Sequence, residues 1–153
     1  MTINRENQSL DTLTNDQNEI DYVREVELVI ASLAEDQKAM VGHSEAGHVW
    51  KFEYGSVQVF VQLTGTTEED TLMVWSPVLK LPAKNEGDLM RRLLEMNWSS
   101  TLESRFGIAN NEVVVVASRS ISDLSPSELS RAITIVATIA DDNDEELQAE
   151  FGQ

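Results

Sequence analysis

Apolar positions return along the chain with two different periods. Between about Asp16 and Met40, Ile20, Val23, Val26 (or Glu27), Ile30 and Leu33 recur at steps of three and four, which predicts a helix with one apolar stripe. Acidic residues crowd its first turns, where the helix dipole favours them, and Gly42 is a plausible stop just past its end. The period then drops to two. In "KFEYGSVQVFVQL" (Lys51 to Leu63) two alternating runs flank Gly55-Ser56, the composition of a type II′ hairpin turn with glycine at the positive-φ position. That turn sets Tyr54 opposite Val57, Phe52 opposite Val59 and Trp50 opposite Val61 on one face. Lys51, Glu53, Gln58, Phe60 and Gln62 fall on the other.

A third strand is expected over about Thr71 to Leu81, with Pro77 marking an edge or a bulge in its outer part. A second helix follows from about Asn85 to Ser99. Leu89, Leu93 and Met96 share one side of it, broadened by Met90, Leu94 and Trp98. The run "LESRFGI" alternates again, and Asn110-Asn111 suits the left-handed angles of a tight turn that sets Ile108 opposite Val113 and Phe106 opposite Val115. "VVVVAS" is apolar on both sides and so reads as a central strand. Ser125-Pro126-Ser127-Glu128 is a complete helix start: a cap serine, proline at the first helical position, and a glutamate closing a capping box. Leu129, Ile133, Val136 and Ala140 form the stripe of the helix it opens. The order is helix, three strands, helix, two strands, helix, an α+β arrangement. Residues 1–15 read as a polar arm, 16–147 as one domain, and 148–153 as an acidic C-terminal tail.

Composition narrows the function. The 153 residues suffice for one domain with a sizeable core, and there is no cysteine, so neither a disulfide scaffold nor a thiol nucleophile is available. No apolar run approaches the length of a membrane span, and the first residues lack the basic head and apolar middle of a secretory signal; the expected location is the cytoplasm. With 27 acidic against 11 basic residues the net charge is −16. Such a surface repels nucleic-acid phosphates and anionic lipid, so neither nucleic acid nor membrane is an expected partner.

Candidate chemistry is sparse. His43 and His48, with Glu45 nearby, lack a recognised metal-ligand spacing and read as ordinary imidazoles at a turn leading into a strand. A calcium loop beginning at Asp141 would need glycine at its sixth place and an acid at its twelfth, where Glu146 and Gly152 stand. There is no nucleophile elbow and no phosphate-cradling glycine loop. The expectation is therefore a protein that is not an enzyme and needs no metal or cofactor. Interaction is the alternative to chemistry. Phe60 and Trp75 fall on the face opposite the expected core and, with Met73 and Trp98, are the candidate surface for a protein partner or for a twin chain.

The segment "LLEMNWSSTLESRFGIANNEVVVVASRSISDLSPSELSRAI" resembles the YbjN family, small acidic bacterial proteins described as sensory-transduction regulators, whose fold is similar to that of type III secretion chaperones. The likeness covers the order of elements from about Asp16 to Leu147. It is most specific at "LLEMN", "RFGIANNEVVVVAS" and "DLSPSELSRAI", with a departure at Trp98, where the family often carries histidine. It implies an antiparallel five-stranded sheet with three helices, in the order α-β-β-β-α-β-β-α, packed mainly on one side, and a homodimer. It brings no active-site residue. The function it implies is a non-enzymatic protein-binding module, chaperone-like or regulatory; the alternative is a small-molecule sensor with its pocket between the last helix and the sheet.

Overall fold

The hairpin at Gly55-Ser56 anchors the architecture. In the computed structural model, which describes residues 19–34, 40–44 and 47–153, Tyr54 pairs with Val57, Phe52 with Val59 and Trp50 with Val61, the register the alternation predicts. Gly55 has φ +54°, which favours glycine, and a Cβ there would displace the Asp141 carboxylate from the turn.

The elements are α1 (Tyr22–Leu33), β1 (Met40–Ser44), β2 (Gly47–Tyr54), β3 (Val57–Leu63), β4 (Thr71–Lys80), α2 (Glu86–Ser99), β5 (Arg105–Ala109), β6 (Glu112–Ser120) and α3 (Pro126–Phe151). One antiparallel sheet runs in the order β1-β2-β3-β4-β6-β5. It has six strands rather than the five expected. The extra one, β1, occupies residues assigned to the end of the first helix and its stop signal: Gly42 lies in the strand opposite Val49, and His43 opposes His48 within the ladder rather than in a turn. The first helix is correspondingly shorter. Asp21 caps it, accepting from the Arg24 N–H at 3.1 Å, and the Ala34 N–H closes it on the Ile30 carbonyl. Residues 16–18 and the expected N-terminal arm lie outside the described residues.

Pro77 does mark a bulge, a register shift between Pro77 and Leu79, but β4 is an interior strand between β3 and β6, not an edge. The irregularity is what lets a residue without an N–H sit inside a sheet. Asn110 and Asn111 both take positive φ, 51° and 60°, and set Ile108 opposite Val113 and Phe106 opposite Val115 as expected. The strand before that turn begins only at Arg105. Leu102, placed in the strand by the alternation, instead turns at φ +51° and is exposed.

All three helices pack on one face of the sheet. Trp50, Val61, Val74 and Ala117 form one cross-strand row beneath them, and Leu129, Ile133, Val136 and Ala140 of α3 lie fully buried against that face. The capping box at Ser125 is complete: Ser125 Oγ accepts from the Glu128 N–H, and the Glu128 carboxylate accepts from the Ser125 N–H. The helix does not give way to a tail at 148. It continues to Phe151, because Asp144, Leu147 and Phe151 extend the buried stripe by steps of four, three and four. Asp144, 3% exposed, accepts from Ser56 Oγ at 2.8 Å, while Asp141 accepts from the Ser56 N–H at 2.9 Å. The acidic run thereby clamps the β2–β3 turn onto α3.

Candidate binding surfaces

Among the described residues nothing covers the face of the sheet away from the helices. Its central row can be read strand by strand: Lys51 on β2 opposes Phe60 on β3, which opposes Trp75 on β4, which opposes Val116 on β6, which opposes Arg105 on β5. Strands about 4.8 Å apart make that row about 19 Å long. At its centre the Phe60 and Trp75 rings stack with centroids 5.3 Å apart and planes within 9°. Lys51 Nζ stands 5.9 Å from the Phe60 centroid, over the ring's electron-rich face. The neighbouring row is Val49, Gln62, Met73 and Ser118, with Met73 exposed. Val114 and Val116 are buried beneath these side chains yet belong to the outer face and not to the helix-covered core.

Three of the four residues expected to form a binding surface, Phe60, Trp75 and Met73, therefore share this face. Trp98 does not. It lies on α2 and is 92% exposed, with Leu94 one turn before it and 70% exposed. Leu102 and Ile108 continue the exposed apolar side chains through the loop and onto β5. The broad apolar side expected of α2 is thus two separate stripes. Leu89 and Leu93 face the core, and at 100° per residue Trp98 lies about 180° from Leu89, so the two could not share a buried face. That arithmetic was the signal available for Leu94 and for this second surface.

Asn97, between the stripes, holds α2 to the sheet edge. Its Oδ1 accepts from the Phe106 N–H at 2.7 Å, and its Nδ2 donates to the Phe106 carbonyl at 3.3 Å. In an antiparallel strand a residue's N–H and C=O point the same way, so the amide occupies the outward side of β5, where another strand would otherwise pair. No sequence pattern announces this contact, which joins residues nine apart through the tertiary fold.

A cavity of about 150 Å³ lies between α3 and β6, floored by Ala117, Ala132 and Ile135. Two ion pairs rim it: Arg119 to Glu128 at 2.6 Å and Arg131 to Glu103 at 2.9 Å. The hydrogen bond from Arg119 holds the Glu128 carboxyl below its ordinary value, and the one from Arg131 does the same for Glu103. Among the described residues no three histidine, aspartate or glutamate side chains are grouped as metal ligands, and no helix is long and apolar enough to cross a membrane.

A sheet helix-covered on one face and aromatic on the other defines a two-layer α+β protein whose prominent surfaces are apolar. The fold is similar to that of a solved structure. One chain of the HopA1–SchA chaperone–effector complex superposes with a TM-score of 0.51 at 11% identity, covering 78% of this chain and 96% of that one. One chain of the ExsC–ExsE complex covers 86% and 96% respectively at 15% identity, with a TM-score of 0.48. No curated protein matches the sequence significantly. The chain belongs to the YbjN family, described as "Putative bacterial sensory transduction regulator", whose sequence model matches residues 24–149.

Proposed function

We propose that this chain is a non-enzymatic protein-binding module, chaperone-like or regulatory, acting in the cytoplasm as a homodimer. The observation that carries the reading is the uncovered sheet face with the Phe60–Trp75 stack at its centre. An aromatic centre with a polar rim is the composition of protein interfaces rather than of free surface. The likeness to a chain of a chaperone–effector complex and membership of a family described as regulatory support the same class of activity. The Leu94–Trp98 stripe, separate from that face, is assigned to the twin chain, which leaves the sheet for the partner.

Two aspartate variants test this. Trp75→Asp abolishes capture of a protein that the wild type retains, with the oligomeric state unchanged. Trp98→Asp converts a dimer to a monomer in sedimentation velocity. A wild-type chain that sediments as a monomer at micromolar concentration removes the dimer, and capture that is indifferent to Trp75 removes the sheet as the binding face.

One observation favours a small-molecule-sensing domain instead: the cavity between α3 and β6, where the sequence places a sensor's pocket. At about 150 Å³ it is smaller than the roughly 300–1,000 Å³ typical of drug-sized ligands. A metabolite panel that raises Tm for the wild type but not for Arg131→Ala would turn the assignment to that cavity.

A further inference from the structure

The charges on the central row of the outer face run against those of the molecule. The chain carries −16, yet Lys51 and Arg105 stand at the two ends of the Phe60–Trp75 row and neither has a carboxylate partner among the described residues; the carboxylates of this face, Glu53 and Glu112, lie in other rows. The ion pairs among the described residues belong to Arg91, Arg92, Arg119 and Arg131, none of which lies on this face. Cations without a carboxylate partner among the described residues, at both ends of an apolar row whose Phe60 and Trp75 are half-buried, make a surface complementary to an anion–apolar–anion pattern. The negative charge elsewhere opposes this weakly, because at physiological ionic strength fields fade over about 8 Å.

We infer that the outer sheet face docks an extended peptide segment with an apolar centre and an acidic residue at each end. The row fixes the spacing. About 19 Å at about 3.3 Å per extended residue places the two acids some six positions apart. Phe60 and Trp75 take the segment's apolar side chains, and Lys51 and Arg105 take its carboxylates. The inference rests on the protein-binding reading above and adds the chemistry of the partner. It also departs from what net charge alone suggests, since a −16 chain considered as a whole favours basic partners.

The probe is a phage-displayed library of random twelve-residue peptides, panned against the wild type and against the double variant Lys51→Glu/Arg105→Glu. Both positions lie at the surface, and circular dichroism verifies each fold. Wild-type binders are expected to carry two acids five to seven positions apart around an apolar centre. Their affinity is expected to fall at least about tenfold for the double variant, which reverses two charges, and to weaken with added salt. Trp75→Asp abolishes binding altogether. Wild-type binders that need Trp75 but are neutral or basic overturn the acidic pattern while leaving protein binding on this face intact. A library that yields no Trp75-dependent binder overturns the docking of extended segments here, and the capture experiment then decides the protein-binding reading separately.

Discussion

Replacing Phe151 by alanine is expected to destabilise the chain by about 3 kcal/mol, although the residue stands third from the end of the sequence. Phe151 is 2% exposed and belongs to the same core as Leu147, Leu89 and Leu93. Large-to-small substitution of a buried phenylalanine typically costs 3–5 kcal/mol, and the lower figure applies because a helix end relaxes more readily than its middle. The Arg92 guanidinium lies 5.0 Å from the ring centroid, over its face, and that contact is lost as well. One contact survives: the Lys84 N–H donates to the Phe151 carbonyl at 2.7 Å whatever the side chain. Urea denaturation followed by circular dichroism measures the change, and about 3 kcal/mol corresponds to a drop in Tm of about 6–12 °C for a chain of this size. Glu150→Ala is the control. It removes the exposed Arg92–Glu150 pair without touching the ring and is expected to leave the denaturation midpoint close to that of the wild type. A loss below 1 kcal/mol for Phe151→Ala would mean that the last turn of α3 is a solvated tail after all, and the packing argument for the acidic helix end would fail with it.

Asn97→Ala strips the outward side of β5 of its partner amide, and is expected to lose about 1–2 kcal/mol and to promote edge-to-edge association visible as concentration-dependent light scattering. Unchanged stability and scattering would show that the amide guards nothing. In alkali, burial raises the pKa of the Tyr22 phenol, with Asp123 and Glu68 adding to the effect, while its hydroxyl donates to the Ile121 and Leu124 carbonyls. A raised value means that this stability is present below about pH 10 and lost as the pH climbs through the folded-state pKa. Tyr22→Phe should flatten the decline of Tm above pH 10, and a decline of equal slope would contradict the assignment. In acid, hydrogen bonds from Thr67 lower the pKa of Asp70, as Arg119 does for Glu128 and Arg131 for Glu103. Depressed values give stability that is present above about pH 4 and lost as the pH falls through the lower folded-state values, so Glu128→Gln should lose less Tm than the wild type between pH 5 and pH 2.5.

Much of this fold is written in local signals, and the exceptions share a physical cause. The turns at Gly55-Ser56 and Asn110-Asn111 fix their registers because a positive φ at a known position leaves one pairing, and alternation then assigns every side chain to a face. Ser125 and Glu128 satisfy each other within four residues, so the start of α3 needs nothing distant. β1 is the opposite case. Five residues, "MVGHS", with a glycine at the centre and a partner on one side only, carry no alternation of their own and become a strand because β2 presents a free edge. The end of α3 was obscured by its charge. Asp144 looks like a solvent residue until the Ser56 hydroxyl, 88 positions away, is brought against it. Of the surface residues, Phe60, Trp75 and Met73 follow from strand parity alone, whereas Trp98 falls on a second surface because β5 packs beside α2 and leaves the far side of that helix bare.

The two faces of the sheet also account for the acidity. The outer face is too apolar to be ordinary free surface, with Phe60, Trp75, Met73 and Val49 adjacent, and too polar to be a second core, with Lys51, Gln58 and Gln62 among them. A chain that exposes such a face, and the Leu94–Trp98 stripe as well, risks indiscriminate association. Net charge counters that risk, since copies carrying −16 repel one another at every orientation that brings acidic surfaces together. The repulsion is weakest where carboxylates are sparse and cations unpaired, which is the Lys51-to-Arg105 row. Acidity in this chain thus acts as a filter on approach: it discourages contact over most of the surface and leaves the aromatic face as the direction from which a partner of matching pattern can come.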